Sequence, residues 1–411
     1  MNLLRSSSAV LICRKDPSAI EEAMGLCEAA GYHVVQLVRM RGLKHGRFGV
    51  GAGKADEAKR AVVDFNATCV VVDDKLSVAE SYNLAKHCNC KVVDRERLVL
   101  DIFRSRATSQ EASLQVKMAE LTYELPRARD YVRLVRRGEQ PGMFGFGSYE
   151  VEKYYRNIRG RLESTKRKLA VLRRRREMLR SQRAKVHMPI VSLAGYTAAG
   201  KTTLFNRLVS EKQPVMNSLF STLTTTTRRL TISGSPILLS DTVGFISRLP
   251  HYMIEAFKST LEELAYADLV LLVIDGSDEE RRMSMKYNAC MDTLADLNVS
   301  QGKVITVFNK VDLVGWEELA ARVARFDPSC QSSVIISAKT GQGVGQLLTS
   351  IERRLKDIAT VDSAVAKGTE IRSSGGPELC VPSEGKEVSP IQGGDDGPKV
   401  DMVSDFQELL E

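Results

Sequence analysis

Gly195-Tyr196-Thr197-Ala198-Ala199-Gly200-Lys201-Thr202 is a complete G-x-x-x-x-G-K-[ST] loop. The apolar run 190–194 before it reads as a buried strand, and Thr203-Leu204-Phe205-Asn206 after it opens a helix. That strand–loop–helix context is what gives the spacing meaning. The glycines let backbone N–H groups wrap a chain of phosphates, and the helix N-terminus adds positive potential. Lys201 is placed to neutralise β and γ phosphates, and the Thr202 hydroxyl to bind Mg²⁺.

Three further motifs follow in order, each behind an apolar strand. Asp241-Thr242-Val243-Gly244 follows the strand ending Leu238-Leu239-Ser240. Its aspartate suits the magnesium shell, and the Gly244 N–H suits a γ-phosphate. Asn309-Lys310-Val311-Asp312 follows the strand 304–308. The Asp312 carboxylate matches the ring N–H and exocyclic amine of guanine in a bidentate contact. Adenine lacks that donor pair, so GTP is favoured over ATP. Ser337-Ala338-Lys339 supplies backbone contact to the guanine carbonyl and packs the base from the other side. One such tetrapeptide means little; the ordered set points to a guanine-nucleotide site.

Leu219-Phe220-Ser221-Thr222-Leu223-Thr224-Thr225-Thr226-Thr227 stands where a nucleotide-sensing first switch belongs. Residues 220–224 are expected at the triphosphate, with Thr222 as the second hydroxyl on magnesium. A polar loop that uses a different threonine remains the alternative. Lys201, Thr222 and Gly244 are the expected catalytic contributors. After Gly244, where many GTPases place a water-orienting glutamine, this chain has Phe245. Its intrinsic rate should be slow unless another residue or a partner positions the water.

Outside this region, the first hundred residues alternate strand-like and helix-like segments, with strands at 8–12, 33–38, 70–72 and 91–93. The alternation implies a small parallel sheet covered by helices. Phe48-Gly49-Val50-Gly51-Ala52-Gly53-Lys54-Ala55 resembles a phosphate loop, but Ala55 replaces the Ser/Thr and Phe48 the first glycine. A glycine-rich entry to a helix is the favoured reading. Cys88 and Cys90 form a C-x-C pair beside His87, without a second pair at zinc spacing, and reduced thiols at a helix end are the favoured reading.

Two long helical stretches come next. Thr108-x-x-Glu111 fits a capping box. Leu114, Met118, Leu121, Leu125, Ala128, Val132 and Val135 repeat at the 3.5-residue period of a coiled coil, as do Val151, Tyr155, Ile158, Leu162, Thr165, Leu169 and Leu172. Pro126 should interrupt or kink the first helix.

The expected architecture is therefore α/β: an N-terminal parallel α/β domain (1–105), a helical hairpin (106–187), a P-loop domain with a mainly parallel sheet (188–358) and an acidic, disordered tail (359–411). The net charge of +8 is uneven. Residues 151–187 carry 14 Lys/Arg against 3 Asp/Glu, and residues 359–411 carry 4 against 11. The basic segment suits an anionic partner such as RNA, with Phe144, Phe146, Tyr154 and Tyr155 available to stack on bases; a solvated basic face is the alternative. No apolar run approaches the roughly 20 residues of a membrane span. A cytoplasmic, monomeric protein with no membrane partner is expected.

These motifs resemble the HflX GTPases across residues 1–357, on GYTAAGKTTLFNRL, LFSTLTTTTRRL, DTVGFISRLPHYMIEAFKSTLEEL, NKVD and the upstream VVDRERLVLDIFRSRATSQEASLQVKMAELTYELPR. The loop GEQPGMFGFGSYEVEKYY is similar to the archaeal branch. Ala198 stands where the family has Asn, which weakens contacts near the phosphates, and Thr224-Thr225 replace an Asp-Pro pair, which loosens the switch. The resemblance implies GTP hydrolysis with Mg²⁺, binding to the large ribosomal subunit and its rRNA through the hairpin loop, and splitting or rescue of stalled ribosomes. An RNA-binding switch in ribosome assembly and a signalling GTPase remain the competing readings.

Overall fold

The computed structural model describes residues 7–42, 46–136, 148–184, 188–209, 220, 225–248, 250–326 and 333–366. The N-terminal region runs β1 (Ser7–Arg14), α1 (Pro17–Ala29), β2 (Tyr32–Met40), α2 (Ala52–Asp64), β3 (Cys69–Val72), α3 (Val78–Cys88), β4 (Lys91–Asp94) and α4 (Arg95–Arg106). Its sheet has the order β2-β1-β3-β4, parallel throughout. Ala9 to Cys13 on β1 are fully buried, as a parallel strand with helices on both faces requires. Local signals agree with this layout. Asp16 caps α1 by accepting the Ala19 N–H at 3.0 Å, with Pro17 in the first turn. Ser77 and Glu80 form a reciprocal capping box on α3, which ends at left-handed Asn89.

The glycine-rich stretch enters α2 as a structural turn. Gly49 has φ +68°, and a Cβ there would stand 2.5 Å from the Leu76 side chain. His87 faces Asp56 at 2.8 Å rather than the neighbouring thiols.

Helices α5 (Gln110–Arg136) and α6 (Ser148–Ala184) form the expected antiparallel pair. Leu121, Ala128, Ile158 and Leu162 are buried between them, with Met118, Leu125 and Tyr155 alongside. Two expectations need correction. The α5 cap is Ser109, whose Oγ accepts the Ala112 N–H at 3.1 Å, not Thr108. Also, Pro126 does not interrupt α5, which continues through it as one helix. Its other face explains why: Ala112, Val116 and Ala119 are buried in the same core as Phe103 and Met253, so packing on both sides outweighs the lost backbone donor.

The third region comprises β5 (Ile190–Gly195), α7 (Lys201–Val209), β6 (Thr226–Ile232), β7 (Ser235–Asp241), α8 (His251–Ala256), α9 (Lys258–Ala265), β8 (Leu269–Asp275), α10 (Glu280–Asp296), β9 (Val304–Asn309), α11 (Val311–Val314), α12 (Trp316–Phe326), β10 (Ser333–Ile335) and α13 (Val344–Ala366). The sheet order is β10-β9-β8-β5-β7-β6, with only the edge pair β6–β7 antiparallel. Strand β8 is buried along its whole length, and β5, β8 and β9 deliver their C-terminal ends to one side. Ligands bind at that side of an open parallel sheet, beside the strand where the order reverses. No helix among the described residues is long and apolar enough to cross a membrane.

Candidate functional site: a nucleotide cleft

The phosphate loop leaves β5 at Gly195, where φ is +142° and a Cβ would meet the Val273 carbonyl at 2.2 Å. Only glycine fits so close to the neighbouring strand. The loop turns again at Ala198 and Gly200, with φ of +63° and +94°. Ala198 therefore holds a left-handed conformation that asparagine adopts more readily, which gives the alanine at this position a backbone cost.

Thr197, Ala198, Lys201, Thr202, Phe220, Thr242 and Gly244 line one cleft. The Lys201 ammonium lies buried and donates to the Gly195 and Tyr196 carbonyls at 3.1 and 2.9 Å. Burial lowers its pKa, with Asp241 opposing the shift. A buried cation under a ring of backbone groups is a receptor for a multiply charged anion. The Thr202 hydroxyl donates to Asp241 Oδ2 at 2.9 Å, so the hydroxyl at the start of α7 and the carboxylate at the end of β7 meet. These are the hard oxygen donors that suit Mg²⁺.

The strand-end segment after Asp241 is locked to the loop. Phe245 N–H donates to the Gly195 carbonyl at 3.0 Å, and Thr197 N–H donates to the Phe245 carbonyl at 2.8 Å. The Phe245 side chain is buried, and Gly244 lies against Thr197 and Lys201. Thr242 commits its hydroxyl to the Leu193 carbonyl at 2.7 Å, and Val243 is buried in the core. Phe220 lines the cleft, while its ring packs edge-on against Phe103 of α4, centroids 4.8 Å apart. Ser221, Thr222, Leu223 and Thr224 lie outside the described residues.

The Asn309–Asp312 and Ser337–Lys339 motifs meet each other and the phosphate loop. Asn309 Nδ2 donates to the Ala199 carbonyl at 2.9 Å, while its Oδ1 accepts the Ala338 N–H at 2.9 Å. Lys310 takes a left-handed φ of +70° and pairs with Asp275 at 2.5 Å. Val311 is buried, its N–H donating to the Ile336 carbonyl at 3.2 Å. Asp312 is exposed, and its Oδ1 accepts the Ser337 hydroxyl at 2.6 Å, which orients the carboxylate. Arg207 of α7 donates to the Ala338 and Lys339 carbonyls, tying the last motif to the phosphate-loop helix.

Sequence reasoning misses one set of residues. Glu22 of α1 and Arg95 of α4 reach the loop and the segment after Gly244. Glu22 accepts from the Tyr196 hydroxyl at 2.7 Å and the Ser247 hydroxyl at 2.5 Å. Arg95 donates to the Ser247 carbonyl at 2.9 Å and pairs with buried Asp73, which also receives Arg248 at 2.8 Å. No local spacing signals a pairing across 225 positions, as between Glu22 and Ser247.

Three family models match successive parts of the chain: the GTP-binding GTPase N-terminal region over residues 17–104, the GTP-binding GTPase middle region over 106–183, and the 50S ribosome-binding GTPase over 190–310. The GTPase HflX of Methanocaldococcus jannaschii is 42% identical over 334 residues, 80% of this chain and 82% of the relative. The GTPase HflX of Escherichia coli K12 is 36% identical over 344 residues, covering 83% and 80%. Among solved structures, the SsGBP–GDP complex superposes with a TM-score of 0.50 at 24% identity, covering 85% of this chain and 98% of that one, which shows a shared fold. With its phosphate loop, strand-end motifs and relatives in agreement, the chain belongs to the HflX GTPases, enzymes that bind and hydrolyse GTP.

Proposed function

We propose that this GTPase binds Mg²⁺-GTP in the cleft and acts as a monomer on the large ribosomal subunit in the cytoplasm, in splitting, rescue or recycling. Lys201 neutralises the β and γ phosphates, the Gly244 N–H faces the γ-phosphate, and Asp312 reads guanine with Ser337, Ala338 and Lys339 behind the base. Thr202 and Thr222 supply hydroxyls to the ion, with Asp241 in its outer shell. Held there, the ion would offset the negative charge of the phosphates during hydrolysis. The free cysteines among the described residues fit a reducing compartment.

The observation that carries the ribosomal reading is α6. Lys153, Arg159, Arg161, Arg167 and Lys168 are exposed along it, with Tyr154 half exposed at 53% among them. Such a helix neutralises RNA phosphates and offers a stacking face. The helix is also coupled to the nucleotide domain, since Arg173 pairs with Glu262 of α9 at 2.5 Å. Because Phe245 brings no water-orienting group, the ribosome is expected to accelerate turnover.

The test is GTP hydrolysis by the protein alone, with large subunits, with small subunits and with naked rRNA, across a salt series. Stimulation by large subunits alone supports the proposal. Equal rates in all four mixtures, with GTP still bound, favour an RNA-binding switch that acts in ribosome assembly.

A further inference from the structure

Three threonines are among the residues that line the cleft, Thr197, Thr202 and Thr242. Two are engaged: Thr202 on the Asp241 carboxylate and Thr242 on the Leu193 carbonyl. Thr197 Oγ1 is buried, the residue being 4% exposed, and has no hydrogen-bond partner among the described residues. A buried hydroxyl without a partner is destabilising by about 1–3 kcal/mol, so a site that keeps one has a use for it.

Its surroundings define that use. The Thr197 N–H is committed to the Phe245 carbonyl and the Phe245 N–H to the Gly195 carbonyl, so neither amide is available to substrate. The Thr197 methyl packs on Gly244, where an added Cβ would lie 2.9 Å from Thr197 Cγ2 and 2.9 Å from Lys201 Nζ. Gly244, the glycine that faces the γ-phosphate in the proposed reading, thus lies against both Thr197 and the phosphate-binding lysine. Phe245, at the position that needs a polar group, presents a buried ring.

We infer that the Thr197 hydroxyl is the group that orients the hydrolytic water, taking the part that Phe245 cannot play; this rests on the proposed reading of the cleft. The hydroxyl accepts a hydrogen bond from the water, and donates one to a γ-phosphoryl oxygen only as the transition state forms. The water oxygen forms its bond to the γ-phosphorus as the bond from that phosphorus to the β–γ bridging oxygen breaks, its electron pair leaving with GDP. One water proton passes to the phosphate product and the threonine keeps its own. Its contribution is alignment, which acts on the chemical step rather than on ground-state binding.

Thr197→Val removes the hydroxyl and keeps the shape, whereas Thr197→Ser keeps the hydroxyl and removes the methyl. In single-turnover hydrolysis by the full chain, the valine variant is expected to lose about 10- to 100-fold in rate, while its affinity for a non-hydrolysable GTP analogue stays within about two-fold. The serine variant is expected to recover most of the rate. Unchanged hydrolysis in the valine variant overturns the inference. So does equal loss in both variants, which assigns the effect to methyl packing, and so does a loss confined to affinity or folding in the valine variant while serine behaves as the unsubstituted chain. Lys201→Ala is the separate control: if it binds the analogue as tightly as the unsubstituted chain, the reading of the cleft itself fails.

Discussion

Glu22, in the first helix of the chain, accepts a 2.7 Å hydrogen bond from the hydroxyl of Tyr196, the second residue of the phosphate loop. The same hydroxyl accepts the Ser247 N–H at 2.6 Å, and Arg95 approaches Glu22 at 3.2 Å. A carboxylate from the N-terminal sheet region thus joins the phosphate loop to the segment that follows Gly244. Burial raises the Glu22 pKa, but Arg95 and the hydrogen bonds from Ser247 and Tyr196 outweigh it, and the net shift is downward.

Glu22→Gln removes the charge that faces Arg95 and should destabilise the chain by about 3 kcal/mol, read as a lower urea midpoint at pH 7. A carboxylate with a depressed folded pKa stabilises above its ordinary value near 4.5 and loses that contribution as pH falls through the folded value. The gap between the two midpoints should therefore narrow below that pH. A gap independent of pH would show that Glu22 acts by shape alone.

Asp312→Asn should weaken GTP binding about 100-fold, the loss of two hydrogen bonds to a charged acceptor. Xanthine offers a ring N–H and a carbonyl where guanine offers two donors, and a carboxamide matches that pair. Competition binding should show the variant turning from GTP towards XTP; an unchanged GTP preference would remove Asp312 from the base site.

Gly244→Ala places a methyl 3.1 Å from the Thr197 backbone and 2.9 Å from Lys201 Nζ. To admit it, the strapped loop and the buried Lys201 ammonium must both shift. Turnover should fall at least about ten-fold, measured at saturating GTP. Normal turnover would mean that the segment rearranges freely.

Ala198→Asn should raise the thermal midpoint of the ligand-free chain, by an amount equivalent to about 1 kcal/mol, because asparagine tolerates the left-handed backbone at φ +63°. Calorimetry reads this directly. A lower midpoint would mean that a longer side chain clashes in the loop.

Arg167→Glu with Lys168→Glu should weaken binding to large subunits and flatten its salt dependence, by about one unit of slope for each phosphate that is no longer neutralised. Both residues are exposed on α6. Equal slopes for variant and parent would place the RNA-binding face elsewhere.

Much of this is legible in the sequence because its signals are local. A strand, a glycine turn and a helix start lie within a short stretch around Lys201, and the motif at Asn309 follows its strand directly. Strand β6 is harder to read: Thr226-Thr227-Arg228-Arg229 is polar because it forms the sheet edge, and its one partner is β7. The Ser109 cap lies one residue from the spacing that suggests Thr108, within the ordinary uncertainty of a helix end. Pro126 misleads because local propensity carries no information about a second buried face. The Glu22–Tyr196–Ser247 cluster leaves no trace, since its members meet only once two sheets have formed and docked.

One carboxamide ties two motifs together: Asn309 holds Ala199 in the phosphate loop with its NH₂ group and Ala338 of the last motif with its oxygen. On the proposed reading of the cleft, a base and a triphosphate are therefore not two independent handles. Each fragment that settles in its own half also fixes the carboxamide that orders the other half. The whole nucleotide should accordingly bind more tightly than the summed free energies of guanosine and inorganic triphosphate would give, a chelate effect written into a single side chain.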